Sequence, residues 1–283
     1  MKTGLVLEGG ASRSLFTCGV MDVLLEEKIY ADYVIGASAG ISQAVSYVSR
    51  QIERNAIITQ KYMGDKRYMG AAHLLDRKNR SFYNMGFVFD EIPNSLVPFD
   101  YDTYLSSNTE CVAAVTNVLT GKTEYIDAFG GDKSWTALRA SCALPLLFPT
   151  IEINDKKYFD GGISDSIPFE QAIKSGCDRV IAVLTRDRGY VKKTDSSVKL
   201  ACAAYRKYPE FCKTLKNRAE MYNAQRKRLF ELEAKGKAFI IEPISTMHIK
   251  RTENRWEKLK PLYVHGKEIT KLRMEALKKY LER

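Results

Sequence analysis

The most constraining stretch of this 283-residue sequence is Tyr33 to Ile52. There a short apolar run ends at Gly36-Ala37-Ser38-Ala39-Gly40 and a helical pattern begins at once. A buried strand that turns directly into a helix is the unit from which parallel sheets are built. The flanking glycines lack the Cβ atoms that would clash in so tight a turn. The frame is G-x-S-x-G, and a strand before it with a helix after it is the setting a nucleophile elbow requires. The helix behind the serine directs its free N–H groups and positive end toward the hydroxyl and toward any oxyanion formed on attack. The same five residues also suit a Gly-rich packing turn with no chemistry.

Strand and helix signals alternate along the rest of the chain. Thr3 to Leu7 reads as a buried strand and Leu15 to Glu27 as a helix with Phe16, Val20, Val23 and Leu24 on one face. Glu110 to Asn117 with Thr123 to Asp127, and Thr150 to Ile153 with Lys157 to Phe159, read as two hairpins. Trp135 to Cys142 and Pro168 to Ser175 read as helices, Arg179 to Thr185 and Ala238 to Glu242 as strands, and most of 197–235 and 263–283 as helix. This order predicts an α/β fold with a mainly parallel sheet covered on both faces. Residues 57–105 are the least regular and are rich in Met and aromatics, from Tyr62 and Tyr68 to Phe87 and Phe89. Such a segment either packs a core or walls an apolar ligand pocket.

Three further features bear on chemistry. Glu8-Gly9-Gly10-Ala11-Ser12-Arg13 lies between the first strand and first helix, and small residues in series let backbone N–H groups converge on an anion. That loop suits an oxyanion hole or a phosphate site. A Walker loop is absent, because Thr116 stands where Gly121-Lys122-Thr123 needs an upstream Gly, and no G-x-G-x-x-G follows a strand. The histidines are His73, His248 and His265; only His248, soon after the last strand, has a plausible place in a Ser-His-Asp order. Asp160-Gly161-Gly162 ends a strand and presents a carboxylate that can serve as the serine's base.

Glu8-Gly-Gly-Ala-Ser-Arg13, Gly36-Ala-Ser-Ala-Gly40, Ala140-Ser-Cys-Ala-Leu-Pro145 and Asp160-Gly-Gly162 stand in the order and spacing of patatin-like phospholipases, which the chain resembles over roughly residues 3–185. The resemblance implies a three-layer α/β/α sandwich and acyl-ester hydrolysis by a Ser-Asp dyad. It implies Ser38 as nucleophile, Asp160 as base and the Gly9, Gly10 and Ala11 N–H groups as oxyanion hole. Arg13 matches the loop's basic position, Ala39 supports the oxyanion, and no metal or cofactor is implied. Three positions depart from the family. Glu8 replaces the frequent Asp, and Ser14 the usual Gly. Asp165 stands where Asn is common. It is expected to cap the helix opened at Pro168; a carboxylate that raises a neighbouring acid's pKa is the other reading.

Charge divides the chain. Residues 1–185 hold 18 Lys and Arg against 22 Asp and Glu, a net of −4, whereas residues 186–283 hold 26 against 12, a net of +14. We therefore read 1–185 as the hydrolase core and 186–283 as a basic, mainly helical part packed on it within one structural domain. Phe211, Leu215, Tyr222 and Leu229 recur at helical spacing beside Lys213, Lys216, Arg218, Arg226, Lys227 and Arg228. That stripe fits either a helix packed on the sheet or one laid on a membrane. No apolar run reaches the roughly 20 residues of a membrane-spanning helix, and the N-terminus lacks a secretory pattern. The six scattered cysteines suit reduced thiols. The expected setting is cytoplasmic, with peripheral contact at the anionic inner face of a membrane. The expected partner is a lipid ester, and no nucleic acid. Acyl transfer, thioester hydrolysis and non-enzymatic lipid binding are the competing functions; the first is disfavoured by Ala37, where related acyltransferases carry His.

Overall fold

The computed structural model describes residues 1–76 and 80–282. At its centre is an eight-stranded sheet of β1 (Thr3–Leu7), β2 (Tyr33–Ala37), β3 (Glu110–Asn117), β4 (Thr123–Asp127), β5 (Ile151–Ile153), β6 (Lys156–Asp160), β7 (Arg179–Val183) and β8 (Ala238–Ile241). The spatial order is β5-β6-β3-β2-β1-β7-β8, with β4 also paired to β3. The five strands from β3 to β8 run parallel, while β4, β5 and β6 join by antiparallel pairing. The sheet is thus mixed, its parallel part covered on both faces as expected and its antiparallel part built from the two hairpins. Asn154 and Asp155, both at positive φ, make the tight turn between β5 and β6.

Side chains alternate faces along each parallel strand. Leu5 and Leu7 of β1, Val34 of β2, Ile181 and Val183 of β7 and Ile241 of β8 enter one apolar core. That core also holds side chains of α1 (Leu15–Glu26), α2 (Ala39–Val48) and α9 (Trp256–Leu272). Val6, Ile35, Val180, Ala182 and Ile240 enter a second core with Phe169 and Ala172 of α6 (Phe169–Lys174) and Tyr222 and Leu229 of α8 (Pro209–Ala234). Helices on both faces make the three-layer α/β/α sandwich.

The basic stretch is joined closely to this framework. β8 adds to the sheet beside β7. α9 crosses α1 through Gly19 and Gly266: a methyl group on Gly19 would lie 2.1 Å from the Tyr263 carbonyl oxygen, and one on Gly266 2.1 Å from that of Phe16. The stripe on α8 is spent on the interior, with Phe211, Leu215, Tyr222 and Leu229 all buried. Of the two readings of that stripe, the packed helix is the one found. The described residues of segment 57–105 fold as short pieces, including π-helical turns at Thr59–Met63 and Phe87–Leu96. Its Met63, Met69, Met85, Phe87 and Phe89 are buried.

Candidate active site

Strand β3 explains how the serine and the aspartate meet. Its residues 112–114 pair with β2 and β4 together, and its residues 115–116 pair with β6 and β4 together. Because β4 occupies one edge throughout, β2 and β6 share the other. β2 runs parallel to β3 and ends with Ala37 opposite Ala114; β6 runs antiparallel and ends with Asp160 opposite Val115. The two strands therefore meet head to head, and Ser38 and Asp160 face each other across that junction. The Ser38 hydroxyl is near enough to the Asp160 carboxyl to act on its ionisation.

The turn carrying Ser38 is strained, with φ 54° and ψ −133°. A non-glycine residue there costs about 1–3 kcal/mol and persists only where neighbours enforce it. The glycines on either side allow that enforcement. A methyl on Gly36 would lie 2.9 Å from the Leu7 carbonyl oxygen, and one on Gly40 2.7 Å from the same atom. The Ser38 N–H donates to Ser141 Oγ at 2.9 Å, and Ser141 Oγ donates to the Ala114 carbonyl at 2.7 Å. Ser141, on α5 (Thr136–Cys142), thus pins the elbow to β3. Its residue type gave no sign of this.

The loop after β1 lies against the elbow. A methyl on Gly9 would sit 3.0 Å from the Ala37 carbonyl oxygen, and one on Gly10 2.7 Å from Thr185 Oγ1. Among the described residues the Gly10 and Ala11 amides meet no protein acceptor. Glu8 fixes the loop's base: its carboxylate accepts the Thr185 N–H and the Tyr222 hydroxyl, each at 2.6 Å. Its extra methylene, relative to the usual Asp, suits a partner on α8. Ser14 is fully buried with φ −68°, so its position does not require glycine.

Asp160 is 2 % exposed, and burial pushes its carboxyl above the ordinary carboxylate range. The Ser38 hydroxyl, the Arg218 guanidinium, the Gly162 N–H and Arg251 oppose that rise. Gly162 N donates to Asp160 Oδ1 at 2.7 Å, and Arg218 Nε donates to the Gly162 carbonyl at 2.8 Å. Arg218 belongs to α8, and the apolar stripe 211, 215, 222, 229 runs through its position. A charge inside a buried helical stripe was the available signal for it. Asp165 does not cap the next helix. α6 starts behind Pro168 without a side-chain cap, and Asp165 instead accepts Tyr125 Oη at 2.7 Å and Gln225 Nε2 at 2.6 Å, tying β4 to α8. Burial raises its pKa as well.

Gly9, Gly10, Ala11, Arg13, Ser38, Ala39 and Asp160 line one cavity of about 820 Å³. No described histidine lines it. His73 Nε2 lies 2.9 Å from the Lys66 carbonyl oxygen, His265 takes the Ile244 N–H, and His248 is exposed. Met63, Tyr68, Phe82, Met85 and Phe89 line the same cavity, so the irregular segment both packs a core and walls the pocket.

A family model described as Patatin-like phospholipase matches residues 5–173. The chain belongs to the patatin-like phospholipase family. A second model, Domain of unknown function (DUF6363), matches residues 208–282, which run from α8 to the end of the described chain. Among relatives of the patatin-like part is YjjU of Escherichia coli, an uncharacterised protein, 23 % identical over 197 residues, covering 65 % of this chain and 52 % of that one. Lysophospholipase NTE1 of Saccharomyces cerevisiae is 25 % identical over 191 residues, covering 64 % of this chain and 10 % of its own length. The chain therefore spans about half of one relative and a tenth of the other. Among solved structures, VipD of Legionella pneumophila aligns with 97 % of this chain and 67 % of its own, at 13 % identity and a TM-score of 0.47.

Proposed function

We propose that this patatin-like protein hydrolyses acyl esters of lipids, in the manner of a phospholipase A or lysophospholipase, with Ser38 as nucleophile and Asp160 as its base. The observation that carries the reading is the head-to-head meeting of β2 and β6, which sets a strained serine against a buried carboxylate beside a loop of unpaired amides. Ser38 Oγ attacks the ester carbonyl carbon while its proton passes to the Asp160 carboxylate. The amides of Gly9, Gly10 and Ala11, with Ala39 at the head of α2, hold the oxyanion. The bond to the alcohol oxygen breaks, Asp160 returns the proton to that oxygen, and an acyl-serine remains. Water attacks the acyl-serine, gives its proton to Asp160, and the fatty acid leaves as Ser38 regains its hydrogen. The apolar arm of the cavity takes the acyl chain.

The reading includes peripheral contact with an anionic membrane face in a cytoplasmic setting, supported by the net +14 of residues 186–283. Among the described residues, no helix is long and apolar enough to cross a membrane. Labelling by a fluorophosphonate and cleavage of 4-nitrophenyl butyrate test the chemistry. Both are expected for the protein and lost in Ser38→Ala. Turnover by Ser38→Ala at the original rate would overturn the assignment. Mass spectrometry of products from a mixed lipid extract then identifies the released acids.

A further inference from the structure

The lining of the same cavity includes an arm of basic residues. Arg13 from the turn after β1, Arg186 and Lys192 from the segment after β7, Arg218 from α8 and Arg251 from the segment after β8 all line it. They lie within electrostatic reach of one another. Arg186 and Arg251 act on Arg13, and Arg186, Arg218 and Arg251 act on Lys192. The carboxylates beside them are already engaged. Glu8 is held by Tyr222 and Thr185, Asp195 by Arg251 at 2.8 Å and by Ser197, and Asp160 faces Ser38. Arg13 is only 7 % exposed, its Nε has no partner among the described residues, and its Nη1 has a single long contact of 3.4 Å to the Ile249 carbonyl oxygen.

Grouping like charges in a partly buried space is unfavourable unless a counter-charge arrives. The strain is visible in the protonation equilibria. Burial, then Arg218 and the other guanidinium groups, push Lys192 down to about 8, and burial with Arg186 pushes Arg13 down to about 10. Planar guanidinium groups converging from separate loops match the oxygens of a phosphate.

We propose that this arm binds the phosphate of the substrate's headgroup, and that it selects acylglycerols ending in a phosphate monoester over zwitterionic choline lipids. The proposal rests on the ester-hydrolase reading for the placement of the acyl chain. With the ester carbonyl at Ser38 and the chain between Met63 and Phe89, the glycerol phosphate extends toward Arg218 and Lys192. A dianion there neutralises two of the clustered charges. A choline group would add one, and the carboxylates among the described lining residues, Glu8, Asp160 and Asp195, already have partners.

The test separates binding from turnover. A short alkyl-ether analogue of lysophosphatidate, below its micellar concentration, has no ester to cleave; its phosphocholine counterpart is the comparison. Calorimetric titration at fixed salt is expected to show binding of the phosphate monoester at least about tenfold tighter. In the double variant Lys192→Gln, Arg251→Gln that preference is expected to disappear, and in Arg251→Lys to persist in part. Equal binding of the two ethers, or a preference unmoved by the double variant, overturns the proposal. Glycerol 3-phosphate and inorganic phosphate form the other arm. If either binds as tightly as the ether lipid without competing with it, the cluster serves a free anion and the headgroup assignment falls. If 4-nitrophenyl butyrate is not cleaved while the ether preference holds, the hydrolase reading fails and the phosphate subsite stands.

Discussion

Residues 1–185 and 186–283 contribute to the same cavity in different currencies. In the proposed reaction the first supplies the reacting atoms: Ser38, Asp160 and the amides of the Gly9 loop. The second supplies their surroundings. Tyr222 holds Glu8, Gln225 holds Asp165, Arg218 grips the Gly162 carbonyl next to the base, and the Arg251 carbonyl accepts the Ser12 hydroxyl at 2.8 Å. On the proposed reading the motif-bearing part determines which bond can break. The basic part sets the charge under which it breaks, and its glycine-paired helix α9 sets how firmly the sandwich closes. A division by sequence motif is therefore not a division of labour in space.

The sharpest way to break this comparison is at the base. Asp160→Asn keeps the size of the side chain but cannot take the serine proton, and kcat/KM on a soluble ester is expected to fall about a thousandfold or more. Gln at His73, His248 or His265 is expected to leave most activity in place. A variant at His248 or His265 as inactive as Asp160→Asn would move the base out of the 1–185 part, and one at His73 would move it off β6. On the structural side, Gly19→Ala sets a methyl against the Tyr263 carbonyl where 2.1 Å is available. Forcing α1 and α9 apart is expected to cost about 1–3 kcal/mol in denaturant unfolding. An unchanged midpoint would mean that α9 is not integral to the sandwich.

The first part was largely legible from sequence because its signals are local. A strand that stops at Gly-x-Ser-x-Gly and a strand that stops at Asp-Gly-Gly each reveal their geometry within a few residues. The pairing of β6 on the same edge of β3 as β2 is not local. It depends on where a hairpin docks, and nothing in residues 151–160 states it. Ser141 was silent for the same reason, since a serine's hydroxyl is useful only to what comes near it. Asp165 reads from sequence as a helix cap because a cap is its nearest possible partner in the chain, whereas Gln225 is its partner in space. In the second part, helix and strand order were readable, but Arg218 merged into a run of basic residues until the buried stripe of α8 showed which face it occupies.

A smaller effect sharpens the role of α8. Arg218 is the strongest of the cations that oppose the burial-raised pKa of Asp160. Asp160 must be ionised to act, so activity is lost as pH falls through its pKa. Arg218→Gln removes that counterweight, and the acid limb of the kcat/KM profile is expected to move to higher pH. Activity then recovers as pH rises. A uniform loss at every pH would assign Arg218 a structural role alone.

The smallest expected effect, per residue, concerns the surface of the basic part. Part of its charge is spent on surface ion pairs with the first part: Arg228 pairs with Glu170, Lys267 with Glu26 and Lys278 with Glu27. The corner between α7 (Val198–Ala204) and α8 is different. Lys199, Arg206, Lys207, Lys213 and Lys216 are exposed there, without ion pairs among the described residues, and Val198 and Ala201 of the same corner line the cavity. Each basic residue near an anionic leaflet contributes about 1 kcal/mol, decaying within a Debye length. Contact through this corner would bring the cavity to the bilayer without any insertion of α8, whose apolar stripe is already buried. Co-sedimentation with vesicles is expected to require anionic lipid and to be lost between about 0.05 and 0.5 M salt, where the Debye length shortens severalfold. Charge reversal at Lys199, Lys207 and Lys213 together is expected to reduce binding further than reversal at the three paired residues Arg228, Lys267 and Lys278. Binding that ignores salt or lipid charge would reduce the net +14 to a solvated surface, and stronger retention on duplex DNA than on anionic vesicles would direct that surface to a different partner.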